Sequence, residues 1–228
     1  MNVRLVFLIF LVVLFAAGTG FLSYSQSTGI SLKEAYDNGN IIITQNTSAG
    51  TVPHQVVIAN NGRDPIKVQV GDVLTANSSQ NLVVAENKTI DKNASDVVNA
   101  YCLDPTTQAV VGSKLKATGT ASNAIQQVIY GSNIKDTSNA TNAQVQIWIL
   151  TSGVNFNIYS GEPVALVNAQ NINYNKLRQI VSDAKTALAS KFNVKVDNIK
   201  SINQSSTSSS DGTLHGIYSG IKSLIGMG

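Results

Sequence analysis

The sequence predicts an α+β protein: a small antiparallel β-sandwich of the immunoglobulin-like kind, then a mainly helical region, all after an N-terminal hydrophobic helix. Three observations carry that expectation. Short β-branched runs separated by turn residues fill the stretch from Ile41 to Leu103, the rhythm of a sandwich. Apolar residues then recur at helical spacing, most clearly from residue 174 to 192. Leu5 to Leu22 is an almost unbroken apolar run behind a short n-region carrying Arg4. The expected organisation is a leader over 1–25, a β-sandwich over 38–112, a helical region over 113–203, and a Ser-rich linker with a short amphipathic tail over 204–228.

The leader is a signal peptide or a membrane anchor. Its apolar run, roughly 18 residues, is at the lower limit for a transmembrane helix. Small residues at Ala16–Gly20 and Ser23–Ser25 offer cleavage sites. Either reading makes the membrane a partner through residues 5–22 and places the rest of the chain on the extracellular face, anchored or secreted. Asn46, Asn77, Asn87, Asn93, Asn139 and Asn203 each begin an Asn-x-Ser/Thr triplet, the acceptor pattern of a glycoprotein.

Residues 26–39 are polar, with one helical turn over Ser31–Tyr36. Strands are expected at Ile41–Ile43, Gln55–Ile58, Ile66–Val70, Leu82–Ala85 and Val97–Leu103. Between the second and third, Asn60-Asn61-Gly62-Arg63-Asp64-Pro65 predicts a hairpin turn. From Thr118 the period changes. Ser122 caps an expected helix through Ile125, Val128 and Ile129, closed by Gly131. Gln144–Leu150 alternates like a strand, but cap residues upstream and Gly153 downstream favour a helix. Residues 154–168 are mixed, with a turn at Gly161-Glu162-Pro163. Leu177, Ile180, Val181, Ala184, Leu188 and Phe192 define the longest helix, capped by Asn173. Val194–Ile199 reads as a short returning strand. The tail, Leu214–Met227, is too short to span a bilayer.

Composition narrows the function. The 228-residue chain has a net charge of +3 and no dense Lys/Arg cluster, so nucleic acid is not an expected partner. His54 and His215 are isolated in sequence and read as surface residues; no metal site and no cofactor are expected. No Gly-x-Ser-x-Gly elbow or phosphate-cradling glycine motif occurs, and an enzyme with turnover is not expected.

One cysteine remains to be explained. Cys102 is the only cysteine of a chain read as exported, and Trp148 is its only tryptophan. An odd cysteine in such a chain has no internal disulfide partner. It is inert core, half of an intermolecular disulfide, or a nucleophile held in another bond. Tyr101-Cys102-Leu103, followed by Ala143-Gln144-Val145-Gln146-Ile147-Trp148, resembles the thioester domains of bacterial and archaeal surface adhesins. Their hallmarks are an aromatic-Cys-aliphatic segment and a later Thr-Gln-x-Ala-Ile-Trp segment. The resemblance covers about residues 95–152. It implies an internal thioester in which the Cys102 sulfur has displaced ammonia from the Gln144 side chain. Ala143 stands where the pattern has Thr, and Gln146 where it has Ala, which leaves Gln146 as an alternative partner. Tyr101 and Trp148 are the candidates to shield the bond from water.

Two readings follow. One is a cell-surface adhesin that captures an amine-bearing ligand covalently and once. The other is a non-covalent structural protein of an envelope or filament, with Cys102 as inert core. The adjacency of Cys102 and Gln144 in space separates them.

Overall fold

The computed structural model describes residues 29–199 and 202. Its β-strands form a closed antiparallel barrel and a separate three-stranded sheet, not an immunoglobulin-like sandwich. In chain order the elements are β1 (Ile30–Ser31), α1 (Leu32–Asp37), β2 (Ile41–Gln45), β3 (His54–Asn60), β4 (Ile66–Val68), β5 (Asp72–Thr75), β6 (Leu82–Val84), β7 (Lys88–Ile90), β8 (Ser95–Cys102) and β9 (Lys114–Thr120). The helices α2 (Asn123–Tyr130), α3 (Thr137–Ser152), α4 (Gly161–Ala169) and α5 (Tyr174–Phe192) follow.

The barrel runs β2-β3-β8-β6-β5-β9 and closes back on β2. Strand alternation builds its interior. Ile41, Ile43 and Gln45 of β2, His54, Val56, Ile58 and Asn60 of β3, and Val98, Ala100 and Cys102 of β8 are all buried. The closing strand is β9, which pairs with both β2 and β5. It lies in the part of the chain expected to be helical. Its inward residues are only Leu115 and Ala117, set among Lys114, Lys116 and Thr118. So little apolar contrast gives a weak strand signal, and without β9 the remaining strands resemble an open sandwich.

The turn after β3 does not make a hairpin. The Asn60 side chain donates to the carbonyls of Asp64 and Asp91 and accepts from the Gly62 N–H. Those bonds lead the chain out of the barrel. Strand β4 then pairs parallel with β1 and antiparallel with β7.

In the helical part, Ser122 and Asn173 cap α2 and α5 through side-chain bonds to Ile125 N–H and Lys176 N–H. The Gln144 segment is helical, within a longer α3 capped by Asp136. Helix α3 packs on α2, α5 and β8. Helix α4 occupies a stretch expected to be a turn, and Val196–Asn198 is a 3₁₀ turn rather than part of a strand.

No helix among the described residues is long and apolar enough to cross a membrane. The expected transmembrane helix or signal peptide over residues 1–25, Leu5–Leu22 included, lies outside the described residues. So do Asn203, His215 and the 204–228 tail. Asn46, Asn77, Asn87, Asn93 and Asn139 are exposed.

Candidate functional site

Strand β3 begins at His54, which pairs with Ala100 of β8. Pro53 stands just before it and has no N–H to extend the ladder. Strand β8 continues for two more residues, to Cys102. On its other side the Leu103 N–H donates to Asn81 O, and the Ala85 N–H donates to Asn99 O. Antiparallel alternation therefore turns the main chain of Cys102 towards the side that β3 has vacated.

Gln144 fills that gap. The Cys102 N–H donates to Gln144 Oε1 at 2.8 Å, and Gln144 Nε2 donates to Cys102 O at 2.7 Å. The side-chain amide takes the place of a strand residue, exchanging both bonds of a ladder pair. Both residues are fully buried. The alternative partner is elsewhere: Gln146 Nε2 donates to Asn142 Oδ1 at 2.6 Å, one turn back along α3.

The thiol is buried. Its S–H donates to Asp104 O at 3.0 Å. Burial pushes its pKa far above the usual thiol range, against a smaller opposing effect of the Trp148 indole. Trp148 lies one turn beyond Gln144 and is fully buried, its ring 5.8 Å from that of Phe156. The indole N–H does not reach full hydrogen-bond geometry with any acceptor among the described residues. Its influence on the thiol shows that the two groups are close. Trp148 is thus placed to shield the sulfur. Tyr101 is not: adjacent strand residues point to opposite faces, and its hydroxyl bonds Ser132 Oγ at 3.2 Å, beside the end of α2.

A second buried group adjoins this pair. His54 sits opposite Ala100, on the same face of the sheet as Cys102 and one diagonal step away. It is fully buried, not a surface residue. Its Nε2 lies 3.0 Å from Glu162 Oε1, and its Nδ1 lies 3.2 Å from Thr47 Oγ1. Thr47 Oγ1 already accepts from the Gln55 N–H and from Gln45 Nε2. The Gln80 side-chain amide nitrogen also lies against the ring, 2.8 Å from His54 Nε2, so that nitrogen faces both the Gln80 amide and the Glu162 carboxyl. The Gly50 N–H donates to the same oxygen, Glu162 Oε1, at 2.6 Å. Glu162 Oε2 is buried with no partner among the described residues.

Two close approaches fix the carboxylate. Gly50 has φ +81°, and a Cβ there would lie 2.2 Å from Ala165 O of α4. Gly161 has φ +62°, and a Cβ there would lie 2.2 Å from Pro105 O. Only glycine permits either contact. The Glu162 N–H also donates to Pro105 O at 2.9 Å, which ties α4 to the loop after Cys102. That loop is itself braced. Burial alone would raise the Asp104 carboxyl, but bonds from Thr106 and Thr107 outweigh it and hold the group below its usual range.

Sequence reasoning passed over His54 and Glu162. The signal available for His54 was its place at the head of the inward run His54, Val56, Ile58; Glu162 was read as part of a turn. Among the described residues no cluster of three or more His, Cys, Asp or Glu side chains is arranged to hold a metal. No protein-family model, curated protein or solved structure matches this chain.

Proposed function

We infer that the protein forms an internal thioester between Cys102 and Gln144 and uses it to attach covalently, once, to an amine-bearing partner outside the cell. The observation that carries this reading is the Gln144 amide clasped by both main-chain groups of Cys102 in a buried site. The geometry suits the chemistry. Addition of sulfur to Gln144 Cδ puts negative charge on Oε1, the atom to which the Cys102 N–H already donates. That N–H is the oxyanion donor. Because Gln144 lies in the middle of α3, no helix N-terminus supplies it. The Cys102 carbonyl holds the departing nitrogen through Nε2. Burial and the Trp148 ring keep water from the activated acyl group until an amine arrives.

Placement outside the cell rests on the unpaired cysteine, the sparsely charged polar composition and the exported-type leader sequence. The structural-protein reading draws on one observation: a buried thiol already bonded to Asp104 O is also what an inert core cysteine presents.

Peptide mapping after incubation with a biotinylated primary amine separates the two. The adhesin reading expects the label on the Gln144 side chain, with loss of one ammonia, and none in Cys102→Ala. Absence of label, or label on Gln146, would contradict it.

A further inference from the structure

Resting on the thioester reading, we propose that Glu162 is the proton-transfer group of the site, its free Oε2 carrying the proton between the Cys102 sulfur and the nitrogen that leaves or enters at Gln144. A fully buried carboxylate with one unpartnered oxygen is costly and calls for a reason. Here its other oxygen is held: it accepts from the Gly50 N–H at 2.6 Å and lies 3.0 Å from His54 Nε2. The clamp leaves Oε2 as the one lone-pair-bearing atom of the group still available. His54 is a diagonal neighbour of Cys102 across β3 and β8 on the same face of the sheet, and Glu162, 3.0 Å from its ring, packs on that face. Burial is the main cause of the raised Cys102 pKa, and Glu162 adds to it electrostatically, in keeping with that placement. Among the described residues the other carboxyl group that acts on the thiol is Asp104, and it is committed to Thr106 and Thr107.

The reaction needs such a group. Burial holds the Cys102 thiol protonated, so sulfur cannot attack by ionising unaided. In bond formation Oε2 takes the S–H proton as sulfur adds to Gln144 Cδ. The adduct collapses, the C–N bond breaks, and the same oxygen returns the proton to nitrogen. Ammonia leaves, and the carboxylate is regenerated. In capture an amine adds to Cδ and gives a proton to Oε2. The C–S bond breaks and that proton passes to sulfur. Thiol plus primary amide becomes thioester plus ammonia; thioester plus amine becomes substituted amide plus thiol. Neither step needs an oxidant or a reductant.

The test uses the full purified chain and two readouts: the fraction of molecules lacking one ammonia as a function of time after synthesis, and the rate of methylamine capture. Glu162→Gln keeps the shape of the side chain and removes the base. The expected result is slowing of both steps by about 100-fold, the scale of general acid–base catalysis, with an unchanged circular dichroism spectrum. If Glu162→Gln does not fold, Glu162→Asp, which keeps the charge but withdraws the oxygen by one methylene, decides: slowing of both steps is expected. Wild-type rates in the folded variant would overturn the role of Glu162 while leaving the thioester reading intact. A wild-type chain of full sequence mass would overturn the thioester reading and this inference together.

Discussion

The Gln144 side chain is bonded to Cys102 as though it were a strand: its amide exchanges two hydrogen bonds with the Cys102 main chain, 2.8 Å and 2.7 Å long, where β3 has ended. On the proposed thioester reading, that relationship selects Gln144 over Gln146 and makes the Cys102 N–H the oxyanion donor.

The first prediction distinguishes two neighbours on one helix. Gln144→Ala leaves two buried main-chain groups of Cys102 unpaired, at about 1–3 kcal/mol each, and abolishes amine capture. Gln146→Ala removes only a bond to the Asn142 side chain and retains capture. Urea denaturation and amine labelling of both variants check this. Equal behaviour of the two would contradict the assignment.

The thiol predicts a dependence on alkaline pH. Burial raises its pKa in the folded state. Stability is therefore intact below the unfolded thiol pKa of about 8.5 and falls as pH rises past it, because only the unfolded chain gives up the proton. The slope is about 1.4 kcal/mol per pH unit. Gln144→Ala, which cannot form the thioester, should show this extra slope relative to the Gln144→Ala/Cys102→Ala double variant. Parallel stability curves from pH 8 to pH 10 would contradict it.

The glycines at the carboxylate clamp are predicted to be intolerant. Gly50→Ala and Gly161→Ala each place a Cβ against a backbone carbonyl, and each should cost about 2 kcal/mol or more. Gly112→Ala is the control for positive φ alone, since it has φ +84° and nothing within 4 Å of its Cβ. Thermal denaturation of the three orders them; a Gly112 variant as damaged as the others would show that the clamp contacts are not what matters.

Trp148 is a core residue and, on the proposed thioester reading, the shield of the bond. Trp148→Ala should destabilise the fold by about 3–5 kcal/mol. Trp148→Phe keeps an aromatic ring beside Phe156 and loses the indole N–H and part of the cover. It should fold and lose its thioester to water faster than the wild type, as followed by mass over time. An unchanged hydrolysis rate would place the shielding elsewhere.

The parts of this molecule written locally in the sequence were legible there. Caps at Ser122 and Asn173 and the helical spacing from Leu177 to Leu188 mark α2 and α5 because their signals lie within a turn or two of chain. The barrel was not legible, because its closure depends on β9 meeting β2, a pairing of Leu115 with Ile43 that no local pattern encodes. The Cys102–Gln144 pairing was legible through motif order, although 42 positions separate the two residues. The His54–Glu162 contact was not, because a lone histidine and a glutamate beside a glycine carry no spacing signal, and only the docking of α4 brings them together.

The most direct test of the central claim is the intact mass of the full purified chain, untreated and after methylamine, beside Cys102→Ala. The thioester account predicts an untreated mass one ammonia below that of the sequence, a gain of one methylamine on treatment, and neither effect in the variant. A wild-type mass equal to that of its sequence and unmoved by methylamine would contradict it and leave Cys102 as buried core.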